Sequence, residues 1–240
     1  MTHLRYEVLR TFRNRGFLII TLGLPLVLYC AITPGNGKTL VDGLHFKLYF
    51  MSGMAAYGAL FAVFSPTSRI AIDRTRGWTR QTRITPLRPS TYLVAKVVTA
   101  FLVALPSLIL VFLAGAAFGV RLTAAQWFEM TGLLLVGLIP FIVMGIIVGH
   151  SARADALPGV IGGLVVVFAL FGGAFGEFFT GSATMRIIRG LPSHWLVQAG
   201  NGAVTGSGGW PAEGWIVVAV WTVAMILLAI PVYRRDTKRV

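Results

Sequence analysis

The residues with which this chain could do covalent or metal chemistry are few, and none is spaced for it. His3, His45, His150 and His194 are scattered and form no metal-ligand spacing. Cys30 is the sole cysteine, which excludes an intrachain disulfide and a cysteine metal cluster. The run Gly35-Asn36-Gly37-Lys38-Thr39 ends as a phosphate-binding loop ends. Ile32, however, stands where the first glycine belongs, and no strand precedes the run. No GxSxG elbow and no nucleophile–base set is present, so the sequence predicts no enzyme active site.

Two other patterns suit non-covalent work. Phe50, Met54, Tyr57, Phe61 and Phe64 recur at helical spacing along one narrow face, and Phe168, Phe171, Phe175 and Phe178 nearly do the same. Such faces either pack against lipid and neighbouring helices or line a path for a greasy or flat molecule. The second pattern is a basic cluster. Arg69, Arg74, Arg76, Arg80, Arg83, Arg88 and Lys96 share their stretch with one acid, Asp73.

The elements that carry these residues follow from composition. Hydrophobic residues make up 56% of the 240 and charged residues only 12%. That is about half the usual share of charge in a soluble domain. The net charge of +13 raises nucleic acid as a partner, but the basic residues are interleaved with long apolar runs, so none is expected. Windows 16–37, 48–68, 97–120, 130–152, 156–176 and 214–233 contain no Asp, Glu, Lys or Arg. About 20 helical residues cross a hydrocarbon core roughly 30 Å thick. The expected fold is therefore all-α: one integral-membrane domain, residues 1–240, with six transmembrane helices. The first apolar run lacks a small-x-small cleavage site and is expected to stay as a span.

Counting basic residues orients the chain. The two termini, the 66–96 segment and the 150–157 loop carry 16; the other side carries five, Lys38, Lys47, Arg121, Arg186 and Arg189. Both termini are thus expected in the cytoplasm, with Trp127, Trp195, Trp210 and Trp215 in an outer interfacial belt. Leu4, Val8, Leu9 and Phe12 share one helical face, which suits a short helix on the membrane surface. A short cytosolic helix is expected from Asp73 to Ile84, stopped by Pro86, with Ser90 as the N-cap of the next span. On the outer side, Ser182 is placed to cap a helix to Arg189, and Ser193 to start another. Gly115/Gly119, Gly145/Gly149, Gly159/Gly163 and Gly172/Gly176 have GxxxG spacing, which permits close helix contact. With no Asp, Glu, Lys or Arg inside the six windows, and the one histidine there, His150, at a cytoplasmic end, any transport is expected to draw its energy from a partner.

Asp73-Arg74, Gly77, Thr85-Pro86-Leu87 and Lys96, with the segment Gly190-Leu191-Pro192 to Val204, complete a pattern over almost the whole chain. It resembles the ABC type-2 transporter permease family, the membrane half of many bacterial exporters. Where members of that family often carry Glu, this chain has Thr75, Arg76 and Arg80. The resemblance implies a multi-pass protein of the bacterial plasma membrane. Its cytosolic coupling helix would dock on a separate ATP-binding subunit through Asp73, Arg74, Arg76, Gly77, Trp78, Arg80 and Pro86. ATP and Mg would be held by that subunit, with no cofactor on this chain. A second permease copy, identical or a sister chain, would complete the transporter, and short re-entrant helices would precede the last span. The resemblance implies that spans 2 and 5 line the pathway, through Phe50, Met54, Tyr57, Phe61, Phe64, Phe168, Phe171 and Phe175. The expected cargo is a small hydrophobic or amphipathic compound, drug- or antibiotic-like, which would make the chain part of a multidrug efflux or resistance system. Lipid, a polysaccharide precursor, or a carrier working without ATP are the alternatives.

Overall fold

The computed structural model describes residues 9, 13, 16, 19–36, 40–41, 44–75, 89–176, 181–204 and 209–238. A π-helical turn, Ile19–Gly23, leads into α1 (Leu24–Asn36). Then come α2 (Phe46–Thr75), α3 (Pro89–Ala117), α4 (Ala124–Gly137), α5 (Ile139–Ser151) and α6 (Leu157–Gly172). Three short helices, α7 (Ser182–Arg189), α8 (Pro192–Val197) and α9 (Ala199–Val204), precede α10 (Ala212–Lys238). The all-α expectation needs one small correction. β1 (Leu40–Val41) and β2 (Leu44–His45) pair antiparallel, Leu40 opposite His45, in the turn between α1 and α2.

Among the described residues, five stretches are long and apolar enough to cross a membrane: Ile19–Asn36, Phe46–Phe64, Val94–Ala117, Ala124–Ser151 and Ala212–Val232. The remaining window, the fifth (156–176), yields only the 16 residues of α6, about 24 Å at 1.5 Å per residue. It is short because Gly173 turns left-handed at φ +82° and closes the helix with its N–H on the Ala169 and Leu170 carbonyls.

Contacts between successive helices show that the six apolar stretches alternate in direction. Gly115, late in α3, lies against Met51, early in α2, while Gly58 and Ser107 meet near the middle. Gly137 in α4 and Gly172 at the end of α6 both touch α8, and Gly214 at the start of α10 touches Trp195. One end of the bundle therefore carries α7–α9, here termed the lid. The other end carries the breaks between α2 and α3 and between α5 and α6. α2 sits at the centre: its membrane stretch is 83% buried, against 6% for that of α10.

Helix boundaries differ from the charge-free windows because charge does not stop a helix. α2 runs unbroken through Pro66, Asp73 and Arg74 to Thr75, so no separate helix begins at Asp73. Proline inside a membrane helix is tolerated where neighbours satisfy the freed backbone groups. Pro89 is the first residue of α3, pre-set for that position by its fixed φ, which puts Ser90 inside the first turn and not at the cap. Window 130–152 becomes α4 and α5, joined through Leu138 ahead of Pro140. The start of α4 is set by a capping box in which Thr123 and Gln126 bond each other's backbone N–H. The surface helix expected over residues 1–15 lies outside the described residues, apart from Leu9 and Arg13, joined by an N–H to carbonyl bond of 3.0 Å.

Candidate functional site

Within the coupling segment, Asp73 and Arg74 fall on the last turn of α2. Arg76, Gly77, Trp78, Arg80 and Pro86 lie outside the described residues. The segment thus begins on the last turn of the central helix.

The aromatic residues can be placed one by one. Phe50 is 2% exposed and stacks on Phe46 at 5.2 Å and on Tyr29 of α1 at 6.1 Å. Met54 and Phe64 are fully buried. Tyr57 meets Phe61 edge-on at 5.3 Å and Phe175 at 5.2 Å, which is where the two stripes touch. Phe168 instead packs edge-to-face on Phe141 of α5 at 5.0 Å. Phe178 lies outside the described residues. Tyr57, Phe61 and Phe175 therefore form the junction between α2 and the segment after α6.

Beyond that junction, a half-open cleft encloses about 300 Å³, part of it open to solvent, between α2, the end of α6, α7 and α8. Tyr49, Phe171, Met185, Ile188, His194 and Gln198 are among its walls. Its interior admits little more than a water molecule, so the lid lies close against α2 and the end of α6 here.

The closure is held by contacts that no spacing rule pointed to. Tyr49 Oη donates to the Gly173 carbonyl at 2.7 Å. Ser52 Oγ donates to the Val197 carbonyl at 2.6 Å and accepts from the Gly200 N–H at 3.0 Å. Gly53 lies so close to the segment after α6 that a Cβ there would sit 2.5 Å from the Ala174 carbonyl oxygen. Polar Tyr49 and Ser52, and the small residues interrupting an apolar helix, were the legible signal. They mark a helix packed against protein and not lipid.

The lid itself is built inward. α7 begins at Gly181 without a side-chain cap, and Pro192, not Ser193, is the first residue of α8. The indole N–H of Trp195 donates to the Arg189 carbonyl at 2.8 Å, and that of Trp221 in α10 to the Gly190 carbonyl at 2.8 Å. The closing carbonyls of α7 are thereby satisfied. Trp195 and Trp210 are 5% and 4% exposed, so these two belong to the lid interior and not to an interfacial belt. Trp215 is 43% exposed.

The helices also carry more charge than the windows did. Lys96 lies two turns into α3 and is wholly buried, and Glu129 lies in the first half of α4. His150 is bonded within its own helix, Nδ1 to the Ile146 carbonyl at 2.8 Å. Among the described residues, no three His, Cys, Asp or Glu side chains cluster as metal ligands would.

Alternating apolar helices around a buried hub, with a lid at one end and a basic connection at the other, define a multi-pass membrane transport protein. The sequence pattern of the ABC-2 family transporter proteins matches residues 38–232, and the chain belongs to that family. It is 26% identical over 201 residues to YvfS of Bacillus subtilis (strain 168), assigned as a transport permease; the match covers 82% of this chain and 80% of YvfS. The chain is thus a permease subunit of an ABC-2 type transporter, a non-catalytic subunit that works with an ATP-binding partner.

Proposed function

We propose that this permease exports a small hydrophobic or amphipathic compound from the cytoplasm or inner leaflet, driven by ATP and Mg bound on its partner subunit. The junction of Tyr57, Phe61 and Phe175 carries this reading. It sets aromatic rings of α2 and of the segment after α6 beneath a narrow cleft, as an exit path would require. The charge count places the 76–88 segment and both termini in the cytoplasm, and the lid outside. α6 would then be the fifth of six crossings, extended by residues 173–176, and α7–α9 a re-entrant excursion before α10, the sixth. The segment following Asp73 and Arg74 would dock on the ATP-binding subunit as a lever on α2. A second permease copy would approach the face of α6 where, among the described residues, no atom lies within 4 Å of a Cβ added at Gly159 or Gly163.

The test is gentle purification of the chain from its membrane, with an ATPase assay of what accompanies it. An ATP-hydrolysing subunit in the complex, stimulated by candidate drugs, supports the reading. A chain that emerges stably alone in several detergents counts against it. In the complex, Arg76→Glu with Arg80→Glu is expected to lower stimulated hydrolysis at least tenfold while insertion survives. Phe61→Ala and Phe171→Ala should change which compounds stimulate hydrolysis at normal expression; an unchanged profile refutes the lining role.

A further inference from the structure

Three helix breaks at the lid end are completed by one turn of α2. The first is the end of α6, whose chain passes through Gly173 at φ +82°, with the Gly173 carbonyl accepting from Tyr49 Oη. The second and third are the end of α8 and the start of α9, either side of Gln198. There Ser52 Oγ serves both helices, donating to Val197 and accepting from Gly200. Helix ends leave backbone groups without partners inside their own helix, and burying such groups unpaired is costly. Val197 is 4% exposed and Gly200 is buried, so without Ser52 these backbone groups would need other partners or solvent. Gly53, one turn on from Tyr49, lets the Ala174 backbone close on α2.

Resting on the transporter reading, we propose that Tyr49 and Ser52 are positioning residues that latch the end of α6 and the lid to α2 on either side of the α6–α8 cleft, holding it shut. Their bonds seat the lid on the one helix that also runs, unbroken over 30 residues, to the segment expected to meet the ATP-binding subunit. A shift or rotation of α2 at that end moves Tyr49 and Ser52 together, and both lid attachments loosen at once. The latch thus ties opening of the exit to movement of the central helix, with no separate gate.

Tyr49→Phe keeps the ring and removes only the donor, and Ser52→Ala removes a donor and an acceptor. Each is placed in a Cys30→Ser chain carrying one reporter cysteine. Ile188→Cys reports the cleft wall, where Ile188 is 5% exposed; Ala104→Cys reports the bundle interior, where Ala104 is fully buried. The rate of maleimide labelling is measured on the purified complex in detergent, without nucleotide. Loss of a hydrogen bond worth about 1 kcal/mol should raise labelling at Ile188→Cys about fivefold in each variant. Labelling at Ala104→Cys should stay at the parent rate, and Ser52→Thr should return the Ile188 site to near the parent rate. Equal labelling of variant and parent at the Ile188 site overturns the latch. So does an equal rise at both reporters, which would signal general loosening. Addition of ATP and vanadate to the parent complex is a separate arm. A parent site that does not respond there sinks the ATP-driven reading, while the nucleotide-free comparison still decides the latch.

Discussion

α2 and α10 are both long apolar helices of this bundle, yet one is its hub and the other its rim. The membrane stretch of α2 is 83% buried within the chain and that of α10 only 6%. The more buried helix is the less apolar of the two. α2 carries Gly53, Ala55, Ala56, Gly58, Ala59 and Ala62, with polar Tyr49 and Ser52 just before them. α10 presents Ile216, Val220, Val223, Leu227 and Ile230 outward. In a bilayer, apolarity places a helix in the membrane but gives it no reason to move inward, because lipid tails are as apolar as leucine. What draws α2 to the centre is close backbone approach, which small residues allow, and the hydrogen bonds that its few polar side chains make. Hydropathy therefore identifies the spans and says little about which one is central.

The comparison is broken most sharply at the hub. Gly53→Ala should cost about 2–3 kcal/mol, because the new Cβ would meet the Ala174 backbone at 2.5 Å and not a side chain that can turn away. Thermal unfolding in detergent reads this, with Gly163→Ala, where a Cβ meets nothing within 4 Å, as the control. Similar stabilities for the two would mean that α2 is not packed as a hub. A smaller effect is expected where the rim helix touches the lid. Trp221→Phe removes the indole bond to the Gly190 carbonyl, a loss of about 1 kcal/mol. It should show as faster backbone hydrogen exchange over 182–190, with exchange in α2 unchanged. The smallest effects belong to the outward face of α10. Val223→Ala and Ile226→Ala should each change stability by less than about 0.5 kcal/mol, since these side chains, 56% and 46% exposed, leave no cavity. A cost above 1 kcal/mol at either would show that α10 is covered by another protein chain.

Much of the aromatic reading was legible and part was not. Phe50, Met54, Tyr57, Phe61 and Phe64 lie along α2 as their spacing requires, because 3.6 residues per turn is a property of the local backbone. Which partner each ring faces is a property of the assembled bundle. Phe168 turns to Phe141 on α5, while Phe175, past the end of α6, turns to Tyr57. The reading of Trp195 and Trp210 as interfacial failed for the same reason. Their side chains close the lid, which composition cannot distinguish from facing a bilayer.

The sequence by itself determined where the apolar stretches lie, the family, and the helix breaks near Pro89, Pro192 and Gly190. Each is decided by chemistry within a few residues: transfer of side chains from water, a fixed proline φ, a helix that ends at glycine. Only the tertiary structure decided that α2 is central, that Tyr49 and Ser52 complete helix ends in α6, α8 and α9, and that Lys96 is buried. Ser52 lies 145 residues from Val197 in the chain. A hydroxyl finds such a partner only when folding brings two unsatisfied backbone groups to it, in a place where water cannot satisfy them.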